Sequence, residues 1–145
     1  VPAKTVKTAS ATTAVESSAL RNWPVQLRLV PVFAPYLNGA RLLIAADCVP
    51  FALADFHKRL LEDRVLLIGC PKLDDTELYA QKLAQIFAQN DITSIDVAFM
   101  EVPCCFGLVK LVQSALTASG KQIPFNLMKV SIDGSRCDNV TSQKA

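Results

Sequence analysis

Met100-Glu101-Val102-Pro103-Cys104-Cys105-Phe106-Gly107 stands where an apolar run, Ile95 to Met100, hands over to an amphipathic segment from Leu108 onward. Two earlier stretches repeat the arrangement. Leu42-Leu43-Ile44-Ala45-Ala46-Asp47-Cys48-Val49-Pro50 is one, and Val65-Leu66-Leu67-Ile68-Gly69-Cys70-Pro71 is the other. Each is a short, fully apolar run, then cysteine with proline within two residues, then an amphipathic stretch. Fully apolar runs of this length read as strands buried on both faces, which is the pattern of a parallel sheet. Four of the five cysteines therefore fall at the carboxyl ends of three neighbouring strands. In an open α/β sheet those ends form the ligand crevice.

The pattern is regular from Arg41. Strand one covers Leu42 to Ala46, and Pro50 fits the first turn of helix one, where its missing N–H costs nothing. On that helix Leu53, Phe56, Leu60 and Leu61 face inward, and Asp55 and Arg59 are spaced for an i,i+4 pair. Strand two is Val65 to Ile68. Helix two carries a capping-box signature, Asp74-x-x-Glu77, then Tyr79, Leu83, Ile86 and Phe87 at core spacing, with Asn90 as C-cap. Strand three runs from about Ser94 to Met100. Helix three reads Leu108, Leu111, Val112, Ala115, Leu116 and ends at Gly120. Strand four, Phe125 to Ile132, stops at Asp133-Gly134. The order β-α-β-α-β-α-β with short connections implies right-handed crossovers. The expected fold is an α/β three-layer sandwich with a parallel, doubly wound, flavodoxin-like sheet of about four strands.

The flanks are less regular. Residues 1–19 are mostly Ala, Ser and Thr, a composition that cannot repay its ordering entropy, and they read as a disordered tail or linker. Between Leu20 and Ala40, Asn22 can cap a short helix with Trp23, Leu27 and Val30 on one face. The alternation of Val25, Leu27 and Leu29 with Gln26 and Arg28 suits an edge strand as well; the helix is preferred. The folded domain is expected over 20–134, with a loose C-terminal tail over 135–145.

Composition bounds the function. The 145 residues are 51% hydrophobic with a net charge of +2, and mean hydropathy is +0.30. Residues 21–134 hold eleven Lys/Arg and eleven Asp/Glu, which argues against a nucleic-acid surface. No apolar run reaches the length of a membrane span. The reading is a cytoplasmic protein, where grouped cysteines mean metal or redox chemistry more often than disulfides.

A cysteine near a helix N-terminus has its thiolate stabilised by the partial positive charge there. Cys48, Cys70, Cys104 and Cys105 all occupy such places. Four thiolates is the ligand count for a [4Fe–4S] centre or for tetrahedral zinc. The spacing lacks the dense Cys-x-x-Cys runs of ferredoxins and the paired motifs of zinc ribbons. Against the metal reading stands the ordinary one, a free cysteine as a small buried hydrophobe. His57, the sole histidine, lies among exposed charges and reads as a surface residue. Asp47 could orient a ligand or cap a helix, and Asp74 and Asp75 read as capping residues. A Gly-rich phosphate loop, a Ser-His-Asp order and an aromatic-basic stripe are all absent from the sequence.

Asn22-Trp23-Pro24-Val25-Gln26-Leu27, Leu43-Ile44-Ala45-Ala46-Asp47-Cys48, Gly69-Cys70-Pro71-Lys72-Leu73-Asp74-Asp75 and Glu101-Val102-Pro103-Cys104-Cys105 together resemble the carboxyl-terminal domain of the 4Fe–4S ferredoxin-type iron–sulfur binding protein family. The resemblance covers about residues 20–134. In that family a ferredoxin module with Cys-x-x-Cys repeats usually precedes this domain, and no such module is present in this sequence. The resemblance implies redox biology of the anaerobic type and a ferredoxin-type protein or domain as partner; Cys137 matches none of its motifs. The expected function is a cluster-binding domain for electron transfer or redox sensing, with Cys48, Cys70, Cys104 and Cys105 as ligands. Two rivals stand beside it: a zinc-bound or metal-free domain that docks to a ferredoxin partner, and a thiol redox enzyme using Cys104 or Cys105 as nucleophile. A homo-oligomer is compatible with all three.

Overall fold

Five strands form one sheet in the order β2-β1-β3-β4-β5, seen in a computed structural model that describes residues 16–141. β1 is Arg41–Ala46, β2 Val65–Gly69, β3 Ser94–Met100, β4 Phe125–Val130 and β5 Cys137–Asn139. The first four are mutually parallel, and β5 runs antiparallel to β4. β1 is buried throughout except at Arg41, and β3 throughout except at Ser94. That continuous burial is why the buried stretches of these strands are apolar at successive positions and not at alternate ones, with Asp96 the one charged exception.

Helices α2 (Thr76–Gln89) and α3 (Phe106–Ser119) pack side by side on the sheet. Tyr79, Leu83, Ile86 and Phe87 of α2, and Leu108, Val112 and Ala115 of α3, are buried as the helical spacing requires. α3 closes at Gly120, whose φ of 74° is the left-handed conformation that glycine adopts without strain. Right-handed crossovers send the chain from β1 to β2 over the opposite face, completing three layers. At the amino end of the sheet, buried Asp96 accepts from Arg64 Nε at 2.6 Å and Asn126 Nδ2 at 3.1 Å, so its charge is paired as burial demands.

Five features differ from the sequence-based reading. Helix one is only Val49–Ala52 (α1); at Leu53 the backbone turns extended, and the chain resumes as a π-helical turn over His57–Leu61. Leu53, Phe56, Leu60 and Leu61 are nonetheless buried, and Asp55 and Arg59 pair at 3.1 Å, so the periodicity identified the inward face while the helix itself broke.

No helix follows Asn22. The segment from Asn22 to Leu27 instead straps the free edge of β2. The Asn22 amide bonds the Leu66 N–H and C=O at 3.0 Å each, Val25 O accepts from Ile68 N, and Leu27 N donates to Ile68 O. An edge strand presents unpaired backbone groups, and satisfying them outweighs a short helix. Trp23 is left exposed.

The α2 cap is Asp75, which accepts from the N–H groups of Glu77 and Leu78, so Asp74 is free for another role. Strand four ends at Val130. The chain then turns at Gly134 and returns as β5, so part of the expected C-terminal tail is a strand. Gly134 has φ 74°, and a Cβ there would lie 1.9 Å from the Ala52 carbonyl oxygen; only glycine lets this turn rest on α1.

At the other flank, the expected looseness of residues 1–19 fails at its end, where Ala19 N donates to His57 Nδ1 at 2.9 Å and Glu16 reaches Lys58 at 3.4 Å. Residues 1–15 and 142–145 lie outside the described part of the chain.

Candidate thiol site at the sheet rim

The strand order reverses between β1 and β3, since β1 connects leftward to β2 and β3 rightward to β4. Such a switch point leaves a crevice beyond the carboxyl ends of the two strands. Cys48 leaves β1 there, and Cys104 and Cys105 leave β3. Cys70 leaves β2 one strand away. Ala46 pairs with Gly69, and Asp47 N donates to Gly69 O at 3.1 Å, so the register carried one step further sets Cys70 opposite Asp47.

All five cysteines are free thiols. Cys105 is buried, at 8% exposure, and burial pushes its thiol above the ordinary value. A hydrogen bond with the Met100 backbone works the other way, and the neighbouring Cys104, Cys48 and Cys70 each push it further up. Cys105 thus lies within electrostatic reach of the other three rim cysteines. Cys137 is not among them. It sits on β5, half-buried beside Arg59, Asp55 and Asp138, and its thiol is raised first by burial.

Consecutive cysteines must diverge, and these do. Pro103–Cys105 forms a tight 3-10 turn before α3, so the pair precedes the helix and does not lie in its first turn. From that turn Cys105 points inward, while Cys104 is exposed and heads a shallow groove between α2 and α3, lined also by Pro71, Lys72, Lys110 and Leu111. Gly107 faces Pro71, whose side chain lies 3.4 Å from where a Cβ would stand. That contact brings the Cys70–Pro71 loop against the start of α3.

The Cys70 loop is anchored from below by residues to which the sequence pattern gave other roles. Asp74 Oδ2 accepts the Cys70 N–H at 3.1 Å and also the Tyr79 hydroxyl. Gln26 of the edge strap accepts a second, longer contact from the same hydroxyl, 3.3 Å. Burial, and next the bond to Asp74, raise the Tyr79 pKa far above that of a free phenol, which favours the donating hydroxyl form. The Tyr79 ring lies under Gly69, where a Cβ would be 2.7 Å from ring carbon Cε2. Gly69 before Cys70, with an aromatic ten residues on, is the one sequence signal of this anchor.

Asp47, beside Cys48, is half-buried with its Oδ1 shielded and unpartnered. Burial, and then the Asp74 carboxylate, push its pKa upward. Glu101 is occupied elsewhere, accepting the Ile132 N–H at 2.9 Å. His57 is exposed and holds the N-terminal strap by its Nδ1.

The donor set can be tested against the group that the thiols suggest. Among the described residues, no three His, Cys, Asp or Glu side chains close on a position for a single metal ion. A [4Fe–4S] cluster places one thiolate on each of four irons, so its ligands stand wider apart than those of one zinc ion, whose sulfurs all lie about 2.3 Å from the metal. Four free thiols after three adjacent strands match that cluster in number and donor type.

A family model described as a Rossmann-like domain matches residues 34–145. A protein of Archaeoglobus fulgidus, itself described as uncharacterized, is 36% identical to this chain over 116 residues, covering 80% of this chain and 81% of that protein. No solved structure matches.

Proposed function

The chain belongs to the Rossmann-like domain family, and from a member whose ligand rim is furnished with thiols we propose an iron–sulfur cluster-binding domain for electron transfer or redox sensing. Cys48, Cys70, Cys104 and Cys105 would hold a [4Fe–4S] cluster. The observation that carries the reading is the placement of four free thiols after three adjacent strands, Cys48 after β1, Cys70 after β2 and Cys104 and Cys105 after β3, while Cys137 lies apart on β5.

When bound, such a cluster takes up and releases one electron at a time. The chain's own residues divide the remaining work. Cys105 supplies a thiol from the apolar side, where water is excluded. Cys48 and Cys104 would supply theirs from the exposed side, near the surface where an electron can leave. Asp74, held by Tyr79, fixes the backbone from which Cys70 projects. Absence of a glycine-rich loop after β1, where Asp47-Cys48-Val49-Pro50 stands instead, weighs against the dinucleotide ligands that this architecture often binds.

The test is anaerobic reconstitution with ferrous iron and sulfide, followed by assay of iron and acid-labile sulfide. The expected result is one cluster per chain, retained in Cys137→Ser and lost or diminished in each of Cys48→Ser, Cys70→Ser, Cys104→Ser and Cys105→Ser. One zinc per chain without sulfide would replace this reading by a structural-metal one. Neither iron nor zinc would overturn both.

A further inference from the structure

A carboxylate that accepts hydrogen bonds from neutral donors keeps its charge, and one such carboxylate stands directly beside Cys70. Asp74 Oδ2 accepts the Cys70 N–H at 3.1 Å. That nitrogen and the Cys70 sulfur are three bonds apart, so the oxygen lies within about 7 Å of Sγ. A second carboxylate is close by. The β1–β2 register, carried one step past Ala46 and Gly69, sets Asp47 opposite Cys70, and the charge of Asp74 is felt at Asp47. Neither carboxylate is in an ion pair among the described residues.

Asp74 is also held in place. The hydroxyl of Tyr79, whose side chain is fully buried, donates to the same Oδ2 that takes the Cys70 N–H. Asp74 and Cys70 are both half-buried, and a charge so placed is screened less than one on the surface. The next residue makes the contrast. Asp75 is exposed and turns its carboxylate to the Glu77 and Leu78 N–H groups at the start of α2. Two consequences meet at Cys70. Its amide is committed to Asp74 and is not free to donate to a sulfur, and a fixed negative charge stands beside its thiol. Local charge and hydrogen bonds to sulfur set the potential of a thiolate-held cluster. A reduced cluster carries one more negative charge than an oxidised one, so both consequences disfavour the reduced form.

We infer that Asp74 is the residue that tunes this rim: its carboxylate, held by Tyr79 beside Cys70, lowers the reduction potential of the group that the four thiols bind. The inference rests on the cluster reading and gives it a direction, toward a centre that surrenders its electron readily. A unit charge some 7–10 Å from a half-buried centre moves a one-electron equilibrium by about tenfold or more.

The experiment uses the protein reconstituted anaerobically with ferrous iron and sulfide, its iron and acid-labile sulfide assayed first. Titration with dithionite in the presence of mediator dyes, followed by the visible and electron paramagnetic resonance signals, then gives the midpoint potential. Asparagine at position 74 keeps an oxygen to accept the Cys70 N–H and removes the charge. Asp74→Asn is therefore expected to be reduced more easily, its one-electron equilibrium moved about tenfold toward the reduced form, or about 59 mV. Asp74→Glu keeps the charge and should stay nearer the parent. Asp75→Asn removes an equal charge one residue further on and retains a helix-capping side chain, so its potential should move much less. A parent that takes up no iron and sulfide would overturn the cluster reading and this inference with it. Equal potentials in fully loaded parent and Asp74→Asn would overturn this inference alone. So would an Asp75→Asn shift as large as that of Asp74→Asn, which would point to net charge and not to the place of Asp74. A folded Asp74→Asn protein that fails to load would make the part of Asp74 structural, and would overturn it as well.

Discussion

Replacing Tyr79 by Phe removes one oxygen atom from a fully buried side chain and leaves the ring under Gly69 in place. What is lost is the hydroxyl donated to the Asp74 carboxylate, with the weaker contact to Gln26 at 3.3 Å. A hydrogen bond to a charged partner contributes about 1.5–3 kcal/mol. Phe also avoids the cost of burying a hydroxyl, and Asp74 keeps its bond from Cys70 N–H, so the net loss is set at about 1–2 kcal/mol. For a chain of this size that corresponds to a fall in Tm of roughly 2–8 °C. Urea unfolding of the reduced, metal-free protein measures it. A cycle with Asp74→Asn gives the coupling, which is expected at about 1 kcal/mol or more for groups in one network. Because Asp74 then holds Cys70 alone, exchange of the Cys70 amide should quicken more than that of Ile68 on the same strand. A Phe variant with parental stability, additive with Asp74→Asn, and with an unchanged Cys70 amide, would refute the anchor.

Asn22→Ala orphans the N–H and C=O of Leu66 at a buried edge and should cost about 2–4 kcal/mol by urea unfolding; a loss below about 0.5 kcal/mol would return Asn22 to an ordinary loop role. Gly134→Ala forces a side chain into a φ of 74° and against the Ala52 carbonyl, so its unfolding midpoint should fall, and parental stability would mean that the turn shifts freely. Asp133, fully exposed, is held at a pKa of about 2, below the ordinary 3.8, first by the Ser135 backbone and then by the Ser135 and Ser131 hydroxyls. A carboxylate depressed in the folded state stabilises above its ordinary value and loses that contribution as pH falls toward its folded one. The advantage of the parent over Asp133→Asn should therefore fade between pH 3.8 and about 2, and a pH-independent difference would remove the assigned cause.

The sheet was legible because buried parallel strands leave a mark that few other structures leave. Leu42 to Ala46, Val65 to Ile68 and, apart from Asp96, Ile95 to Met100 are apolar at successive positions, and the helical spacing after Leu108 and around Tyr79 located the packed faces. Helix one was harder. Leu53, Phe56, Leu60 and Leu61 hold helical spacing, yet the extended backbone at Leu53 has no marker such as glycine or an internal proline. β5 was missed because Cys137–Asn139 is short, polar and at the edge, stabilised by pairing with β4 and not by its own pattern. Asn22 was misread for a different reason. Asparagine caps helices and clamps strand edges through the same amide, and only the position of Leu66, far along the chain, decides between them. At the rim the thiols were legible one by one, since each stands within five residues of its strand's end. The Asp74–Tyr79 support was not, because Asp74 and Asp75 fit a capping role equally well until the start of α2 is known.

Native mass spectrometry of the anaerobically reconstituted protein counts what the four thiols hold together. A single added species with the mass of four irons and four sulfides is expected. That species should persist in Cys137→Ser and be absent from the Cys48→Ser, Cys70→Ser double variant, whose metal-free fold remains intact because both residues lie at the rim. A protein that keeps the full cluster mass without Cys48 and Cys70, or that takes up only a single metal ion, would contradict the cluster reading.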